Sequence, residues 1–467
     1  MDPFSIGEEA GPVAGPSTHG LLETAVPDAR AGTYILDVRV AAGSARAGVL
    51  TSTETISLYD CAAPGGMGLA TALHVPGAQG FRFGRAEAGA IEVAGSLAEA
   101  GAAGDAGVAD AVADIPWLVF ATAGTDGAVR MWDLRAPPSE GGRVCVAWRP
   151  GGVTAFDVAA GGHMLVTGSP VDMDLCSAPV CLWDVRMAAG GAPPKPMATF
   201  GESHTDEVTA IRCHPRAANV FLSCAEDGLV SAFVLNAGAR SVEEESVECV
   251  LNTRQSPAMA EFARVPGPGG MAAGGAPLAL AVTSHAETAG LWSVDTAALA
   301  VDWPDVRARA RTAGAAVNSL IGFTHRTYVA PGEGGAAGAG GLLGPGLLLL
   351  GTEGDGTLAG LALDPTQPAG VRQVLRLAGG HEDHVRAVAW LGADRIITGG
   401  EDGRVCVWGG LPESPAAAAA AAAAPMSPQA EQRPAVVLAE QPAPAMSRRA
   451  PSSFASRPRP APRRNPF

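Results

Sequence analysis

An all-β fold assembled from repeated sheets is predicted by three features of the sequence. One motif recurs: a short apolar strand, a small-residue step, an Asp-Gly turn, a second strand and an aromatic residue. The aromatic follows the turn aspartate by six residues in TDGAVRMW, EDGLVSAF and EDGRVCVW. The Asp-Gly pairs supply the positive φ that a two-residue hairpin requires. Because one such unit cannot bury its own apolar face, we expect neighbouring units to stack on one another.

Further signals fall in register with these motifs. Two units end in complete Trp-Asp dipeptides, and two others begin with a histidine after a small residue; the pairs are Trp132-Asp133, Trp183-Asp184, Gly380-His381 and Ser203-His204. Together they resemble the repeat of the WD40 family, in which Gly-His stands near the start of each blade and Trp-Asp near its end. The resemblance implies a seven-bladed WD40 β-propeller, and the composition of the C-terminal tail predicts that this tail is disordered and basic.

Three segments are predicted along the chain. Residues 1–30 form an irregular N-terminal segment, residues 31–410 hold seven blades, and residues 411–467 form a disordered tail rich in proline and alanine. A propeller must pair its outermost strand to avoid an exposed sheet edge. We expect Leu21–Val26 to add the outer strand of the last blade, and Val436–Leu438 is the alternative.

Composition limits the choice of partners and compartment. The net charge is −15, although the tail itself is basic, with seven arginines and three glutamates. An acidic body argues against a broad nucleic-acid surface and indicates basic partners or simple solubility, and the basic tail could serve nuclear import. No secretory signal and no apolar stretch of about 20 residues is recognisable. We therefore expect an intracellular protein, nuclear or cytoplasmic, away from membranes, acting as a monomer or as a subunit of a complex.

The recurring polar residues of the motif are predicted to be structural. The WD40 resemblance implies that the turn aspartate, a histidine, a hydroxyl and the indole N–H form a buried hydrogen-bond network in each complete blade. The corresponding residues are His381, Thr398, Asp402 and Trp408 in the last blade, Thr122, Asp126 and Trp132 in the second, and His204, Ser223 and Asp227 in the fourth. A catalytic set occurs once, in a pocket, whereas this set recurs. We therefore expect no enzymatic activity and no catalytic residues.

Two other clusters raise the question of a metal site. His381 and His384 stand three residues apart, and Asp172 and Asp174 precede Cys176. The first histidine is already assigned to the blade network, and the aspartates lack the rest of a calcium loop. The eight cysteines contain no CxxC pair, which favours small buried side chains in a reducing compartment. We expect neither a metal nor a cofactor.

Two Trp-Asp-x-Arg endings are the most functionally specific signal. Asp133 with Arg135, and Asp184 with Arg186, resemble the box by which WD40 substrate receptors dock on the adaptor of cullin–RING ubiquitin ligases, although Ala121 stands where a larger aliphatic residue is usual. An exposed arginine can pair with a carboxylate of a partner; alternatively, it simply covers the end of its own strand. The leading hypothesis is a non-enzymatic protein–protein interaction scaffold of the WD40 type, and the alternative is a substrate receptor of a cullin–RING ligase.

Overall fold

The described residues of the chain form seven β-sheets. The computed structural model describes residues 17–18, 20–28, 30–41, 44–62, 66–85, 96–97, 99, 114–123, 127–136, 142–147, 152–174, 176–190, 195–215, 217–235, 242–264, 278–312, 319–324, 347–351, 355–363, 371–391 and 395–409. Both the basic tail and the proposed strand Val436–Leu438 lie outside these residues.

The strands are numbered in chain order, and most sheets consist of four consecutive antiparallel strands. Two short strands come first, β1 (Ser17–Thr18) and β2 (Gly20–Ala25). The first sheet comprises β3 (Ile35–Val40), β4 (Arg46–Thr51), β5 (Thr55–Asp60) and β6 (Gly68–His74). The second comprises β7 (Ala78–Arg85), β8 (Asp114–Ala123), β9 (Ala128–Asp133) and β10 (Arg143–Ala147). The third comprises β11 (Ala155–Val158), β12 (Met164–Gly168), β13 (Val180–Asp184) and β14 (Ala198–Phe200).

The remaining sheets continue in the same way. The fourth comprises β15 (Val208–Cys213), β16 (Val220–Ala225), β17 (Leu229–Val234) and β18 (Val247–Asn252). The fifth comprises β19 (Pro257–Arg264), β20 (Leu278–Ser284), β21 (Ala289–Ser293) and β22 (Ala298–Trp303). The sixth comprises β23 (Ser319–Thr324), β24 (Leu347–Gly351), β25 (Leu358–Leu363) and β26 (Val371–Leu377). The seventh contains β27 (Val385–Leu391), β28 (Arg395–Gly400) and β29 (Val405–Gly409).

Helical structure is sparse in the described residues. A 3₁₀ helix spans Val185–Gly190, and two short α-helices are α1 (Glu243–Ser246) and α2 (Val306–Thr312). The inner strands of a sheet are apolar and buried on both faces, as in β16, whereas the outer strand β18 alternates between exposed and buried residues. This pattern is typical of sheets that stack face to face and leave only their outer edge in water.

The N-terminal segment supplies the missing outer strand of the seventh sheet. Strand β2 pairs antiparallel with β29, with Leu21 opposite Trp408 and Thr24 opposite Cys406. Strand β1 pairs in parallel with β26 and so adds a fifth strand to the sixth sheet, which the sequence did not predict. Residues 17–18 and 20–25, within the N-terminal segment that was expected to be irregular, are therefore strands. Closure of this kind covers edges that would otherwise be free to pair with another molecule.

The apolar core lies between neighbouring sheets. Separate clusters of buried side chains join the first sheet to the second, and so on through the fifth, while others join the sixth to the seventh and the seventh to the first. Strand β20 contacts β23 between the fifth and sixth sheets. At the seventh–first junction a Cβ on Gly399 would stand 2.5 Å from Cγ2 of Ile35, so this close approach requires glycine. The described sheets thus form an all-β propeller, in which each sheet packs on the next and the seventh packs on the first.

Candidate functional site

The seventh sheet holds a complete four-residue network. His381 Nδ1 lies 3.1 Å from Asp402 Oδ1, and His381 Nε2 lies 2.7 Å from the Thr398 hydroxyl. The indole N–H of Trp408 donates to the same hydroxyl at 2.9 Å. Thr398 is fully buried, and the imidazole and indole are nearly so. With the imidazole proton on Nδ1, the donors run in one direction from indole to carboxylate, and every polar group is satisfied.

The fourth sheet holds a shorter version of this network. His204 Nδ1 lies 3.2 Å from Asp227 Oδ2, and its Nε2 lies 2.6 Å from the Ser223 hydroxyl. Phe233 occupies the position of the tryptophan, where it stacks between Phe200 and Phe221 at centroid distances of 5.4 and 4.5 Å. Packing between these aromatic rings takes the place of the hydrogen bond that the indole N–H donates in the seventh sheet.

Each turn aspartate also ties a loop to its hairpin. Asp402 accepts hydrogen bonds from the backbone N–H groups of Glu382 and Arg404, and Asp227 accepts from those of Thr205 and Leu229. Burial raises the pKa of both carboxyls, but the histidine and backbone hydrogen bonds outweigh it, so the pKa of each aspartate lies below its usual value. The aspartates are therefore ionised and structural at neutral pH.

These lowered pKa values predict acid sensitivity. Above about pH 4, where an unfolded aspartate is also ionised, the networks contribute their full stability. As the pH falls below that value, the unfolded chain takes up protons first, and the free energy of unfolding decreases until the folded-state pKa is passed. Urea denaturation between about pH 7 and pH 3 should show this decrease, and Asp402→Asn should make it smaller. An unchanged pH dependence in the variant would contradict the assignment.

The second sheet does not form the predicted hydrogen bond at its tryptophan. Within the described residues the indole N–H of Trp132 is buried without an acceptor. Val119 lies opposite Trp132, and Ala121, two residues farther along, occupies the register position that Thr398 has in the seventh sheet. Relative to the turn, the pairing of the two strands is shifted by one residue. The position that the motif spacing assigns to Thr122 is therefore occupied by Ala121. The structure does not describe Asp126 or the side chain of Thr122.

The third sheet contains a pair that the sequence analysis missed. The indole N–H of Trp183 donates to the Thr167 hydroxyl at 2.9 Å, and both residues are buried. A lengthened hairpin, residues 169–179, separates these strands and breaks the constant spacing of the motif. Register counted backward from the Trp-Asp dipeptide, rather than forward from a turn aspartate, would have found the threonine.

The two Trp-Asp-x-Arg endings share one geometry. Arg135 donates to Asp133 through Nε and Nη2, at 3.0 and 2.7 Å, and Arg186 donates to Asp184 in the same way, at 2.9 and 2.6 Å. Both arginine side chains remain 64% exposed. Arg135 also lies over the ring of Trp117 at 4.7 Å. The arginine hydrogen bonds lower the pKa of both aspartates, so each ending presents a fixed, ionised pair.

An additional row of charges, not predicted from the sequence, runs along the first strands of five consecutive sheets. The first strands contact one another in order, from β3 through β7, β11 and β15 to β19. The charged row consists of Asp37, Arg39, Arg82, Asp157, Arg212 and Glu261. The signs alternate between neighbouring sheets beyond the first, since Arg82 is followed by Asp157, Arg212 and Glu261. The available signal was the presence of charged residues inside each of these five first strands, two of them in β3.

Short distances connect the charged row. Arg82 Nε lies 3.3 Å from Asp157 Oδ1, and Arg212 Nε lies 2.6 Å from Glu261 Oε1. Asp157 also accepts a hydrogen bond from the Cys213 backbone N–H at 2.8 Å. Burial raises the pKa of Asp157, but Arg82 and the other nearby arginines outweigh it and leave the pKa below its usual value. The row therefore joins the second sheet to the third, and the fourth to the fifth, through largely buried ion pairs.

The metal candidates do not converge. Among the described residues no group of three or more histidine, cysteine, aspartate or glutamate side chains is placed to hold a metal ion. His381 is committed to its network, and Asp172 accepts from the backbone N–H of Asp174. All eight cysteines are free thiols, and only Cys176 is exposed. Burial raises the pKa of the Cys406 thiol to about 12, which suits a packing role.

Comparisons with known proteins agree with the fold. The family model for the WD domain, G-beta repeat, matches residues 372–409. The chain is 26% identical over 299 residues to WD repeat-containing protein GTS1 of Arabidopsis thaliana, which covers 62% of this chain and 66% of that relative. It is 28% identical over 144 residues to WD repeat-containing protein C63.06 of Schizosaccharomyces pombe, which covers 30% and 40%. The chain thus spans less than two thirds of either relative. No helix in the described part of the chain is long and apolar enough to cross a membrane.

Proposed function

From the premise that this chain is a WD40-repeat protein, we propose that it is a non-enzymatic scaffold that binds protein partners through the ends of its blades. The histidine–aspartate pairs that could suggest chemistry are buried and bonded within the fourth and seventh sheets. Because these pairs are used within the blades, recognition of a partner depends on the outward-facing side chains at the strand ends. A propeller holds such side chains on a rigid support.

The observation that carries this proposal is the repetition of one exposed arginine–aspartate pair in two neighbouring sheets. Strands β9 and β13 are both the third strand of their sheets, so Arg135 and Arg186 follow them at the same end. Met187, directly after the second arginine, is 72% exposed. Two pre-organised cations beside an exposed methionine favour a partner with acidic and apolar side chains.

A second candidate function uses the same residues. The endings resemble the docking box of cullin–RING substrate receptors, and the exposed guanidinium groups of Arg135 and Arg186 are held in a fixed orientation, as docking on an adaptor requires. The pairing of each arginine with its own aspartate supports the simpler role of covering a strand end equally well. A finer resemblance, to WD repeat-containing protein 89, rests on the order of the motifs over about 114–236 and 371–408 and stays a prediction.

One experiment separates these possibilities. Tagged full-length chain and its Arg135→Ala/Arg186→Ala variant are used for proximity labelling with quantitative mass spectrometry, and Arg30→Ala, at an arginine 77% exposed elsewhere, is the matched control. We expect a set of proteins to be labelled at least about tenfold less by the double variant, because two lost charge-assisted contacts of about 1 kcal/mol each weaken binding about thirtyfold. The control should label the same set as the wild type.

The outcomes are distinct. Equal labelling by the double variant and the wild type would show that Arg135 and Arg186 take no part in partner binding. Binding of purified cullin–RING adaptor to the wild type, lost in the double variant, would support the receptor role. No binding of the adaptor, with labelling still dependent on the arginines, would leave the scaffold role alone.

A further inference from the structure

The fifth sheet keeps the tryptophan of the repeat but not its hydrogen-bond partners. Backbone hydrogen bonds establish which positions correspond. In the seventh and fourth sheets, the residue before the turn aspartate donates to the carbonyl three residues after the network histidine: Glu401 to His384, and Glu226 to Glu207. In the fifth sheet the same bond runs from His285 to Ser256. The position of the histidine is therefore Thr253, and that of the aspartate is Ala286.

The hydroxyl position is also changed. Ile396 lies opposite Trp408, and Thr398 is two residues farther along; Leu280 lies opposite Trp292, which places Val282 at the corresponding position. Imidazole, hydroxyl and carboxylate are thus replaced by threonine, valine and alanine side chains. Trp292 keeps its donor N–H, which has no acceptor within the part of the chain that the structure describes.

A cavity of about 640 Å³ lies where the network would be. Its lining includes Thr253, Val282 and Trp292, together with Gly290, which stands where the seventh sheet has Cys406. The repeat tryptophans of the third and seventh sheets, Trp183 and Trp408, are 1% exposed, whereas Trp292 is only half-buried. Loss of the polar side chains has therefore opened the blade beside its indole.

The lining of the cavity combines apolar side chains with polar and charged ones, among them Arg254, Gln255 and Asp302. Val250 and Leu299 line it and are 45% and 40% exposed, which is high for aliphatic side chains in a sheet. Asp302 lines it as well, is exposed, and makes no ion pair within the described residues. The cavity therefore offers an unpaired N–H donor, an unpaired carboxylate acceptor and two exposed aliphatic groups.

We propose that this cavity binds the histidine side chain of an extended segment of a protein partner. In the fourth and seventh sheets the equivalent space is filled by an imidazole that bridges a hydroxyl and a carboxylate. In the fifth sheet the imidazole of a partner would accept from the indole N–H of Trp292 and donate to Asp302. The volume exceeds that of an imidazole, so backbone enters with it, and the neighbouring side chains of the segment cover Val250 and Leu299.

This inference rests on the proposed scaffold function, because a peptide segment is the ligand. Its test is independent of the face that carries Arg135 and Arg186. The full chain is labelled with 5-fluorotryptophan, and Trp292→Phe identifies the ¹⁹F signal of Trp292 among the 8 tryptophans. Imidazole and the capped tripeptide Ala-His-Ala are then titrated separately, with capped Ala-Phe-Ala as the apolar control.

The deciding variant restores the network: Thr253→His, Val282→Thr and Ala286→Asp together. We expect saturable shifts of the Trp292 signal with imidazole and with the histidine peptide, and at least about tenfold weaker binding in the restored variant, because its own imidazole occupies the site. If the triple variant fails to fold, Val282→Phe fills the cavity and gives the same expectation. Equal binding of the phenylalanine peptide, or the absence of a saturable shift, would overturn the histidine site. Neither result would bear on the proposed binding of partners through Arg135 and Arg186. If labelling does not depend on Arg135 and Arg186 while imidazole still binds, only the proposed binding through these two arginines would be overturned.

Discussion

Replacement of Asp157 by alanine should lower the free energy of unfolding by about 3–5 kcal/mol. The residue is 5% exposed, and its carboxylate is the nearest counter-charge to the Arg82 guanidinium. Removal of the acid leaves that arginine with only the more distant carboxylate of Asp37, at 3.8 Å, and leaves the Cys213 backbone N–H without its acceptor. Chemical denaturation of the purified chain, monitored by tryptophan fluorescence, measures the loss.

A matched control comes from an exposed pair. Asp60 lies 3.9 Å from Arg46, and its side chain is 47% exposed. Because water screens such a pair, Asp60→Ala should cost less than about 1 kcal/mol. The double variant Arg82→Met/Asp157→Ala should recover part of the loss, since it also removes the guanidinium that has lost its nearest counter-charge. A cost at Asp157 no larger than at Asp60 would show that the charged row does not hold the inner strands together.

Thr398→Val should lower the free energy of unfolding by about 2–4 kcal/mol, because one buried hydroxyl serves two partners. Valine has nearly the same shape, so packing is kept while the Trp408 indole N–H and the His381 Nε2 both lose their hydrogen bond. Denaturation curves in urea and the indole N–H chemical shift of Trp408 report the two effects separately.

Two comparisons isolate the hydroxyl. Thr398→Ser keeps the hydroxyl and should cost only about 0.5–1.5 kcal/mol for the lost methyl group. Ser223→Ala removes the equivalent hydroxyl of the fourth sheet, where phenylalanine replaces the tryptophan, so only His204 loses a partner and the cost should be about 1–3 kcal/mol. If Thr398→Val were no worse than Thr398→Ser, the network would contribute nothing beyond packing.

The repeated motif was sufficient to predict the architecture. Constant spacing between turn aspartate and aromatic is a local property, and it predicted the hairpins of the fourth and seventh sheets together with their histidine–aspartate contacts. It misled in the second sheet, where a one-residue shift in register opposes Val119 to Trp132. Register is decided by the packing of both faces of a strand, and spacing within one strand does not specify it.

The sequence by itself determined which residues repeat, and hence the propeller and the structural use of His204 and His381, because hydrogen-bonding capacity and turn preference are properties of the residues themselves. Only the tertiary structure decided which charges meet. Arg82 and Asp157 are 75 residues apart in the chain and belong to neighbouring inner strands. The cavity beside Trp292 could likewise not be predicted from the sequence. A missing hydrogen-bond partner of the indole is recognised only when the strand register shows which position would have supplied it.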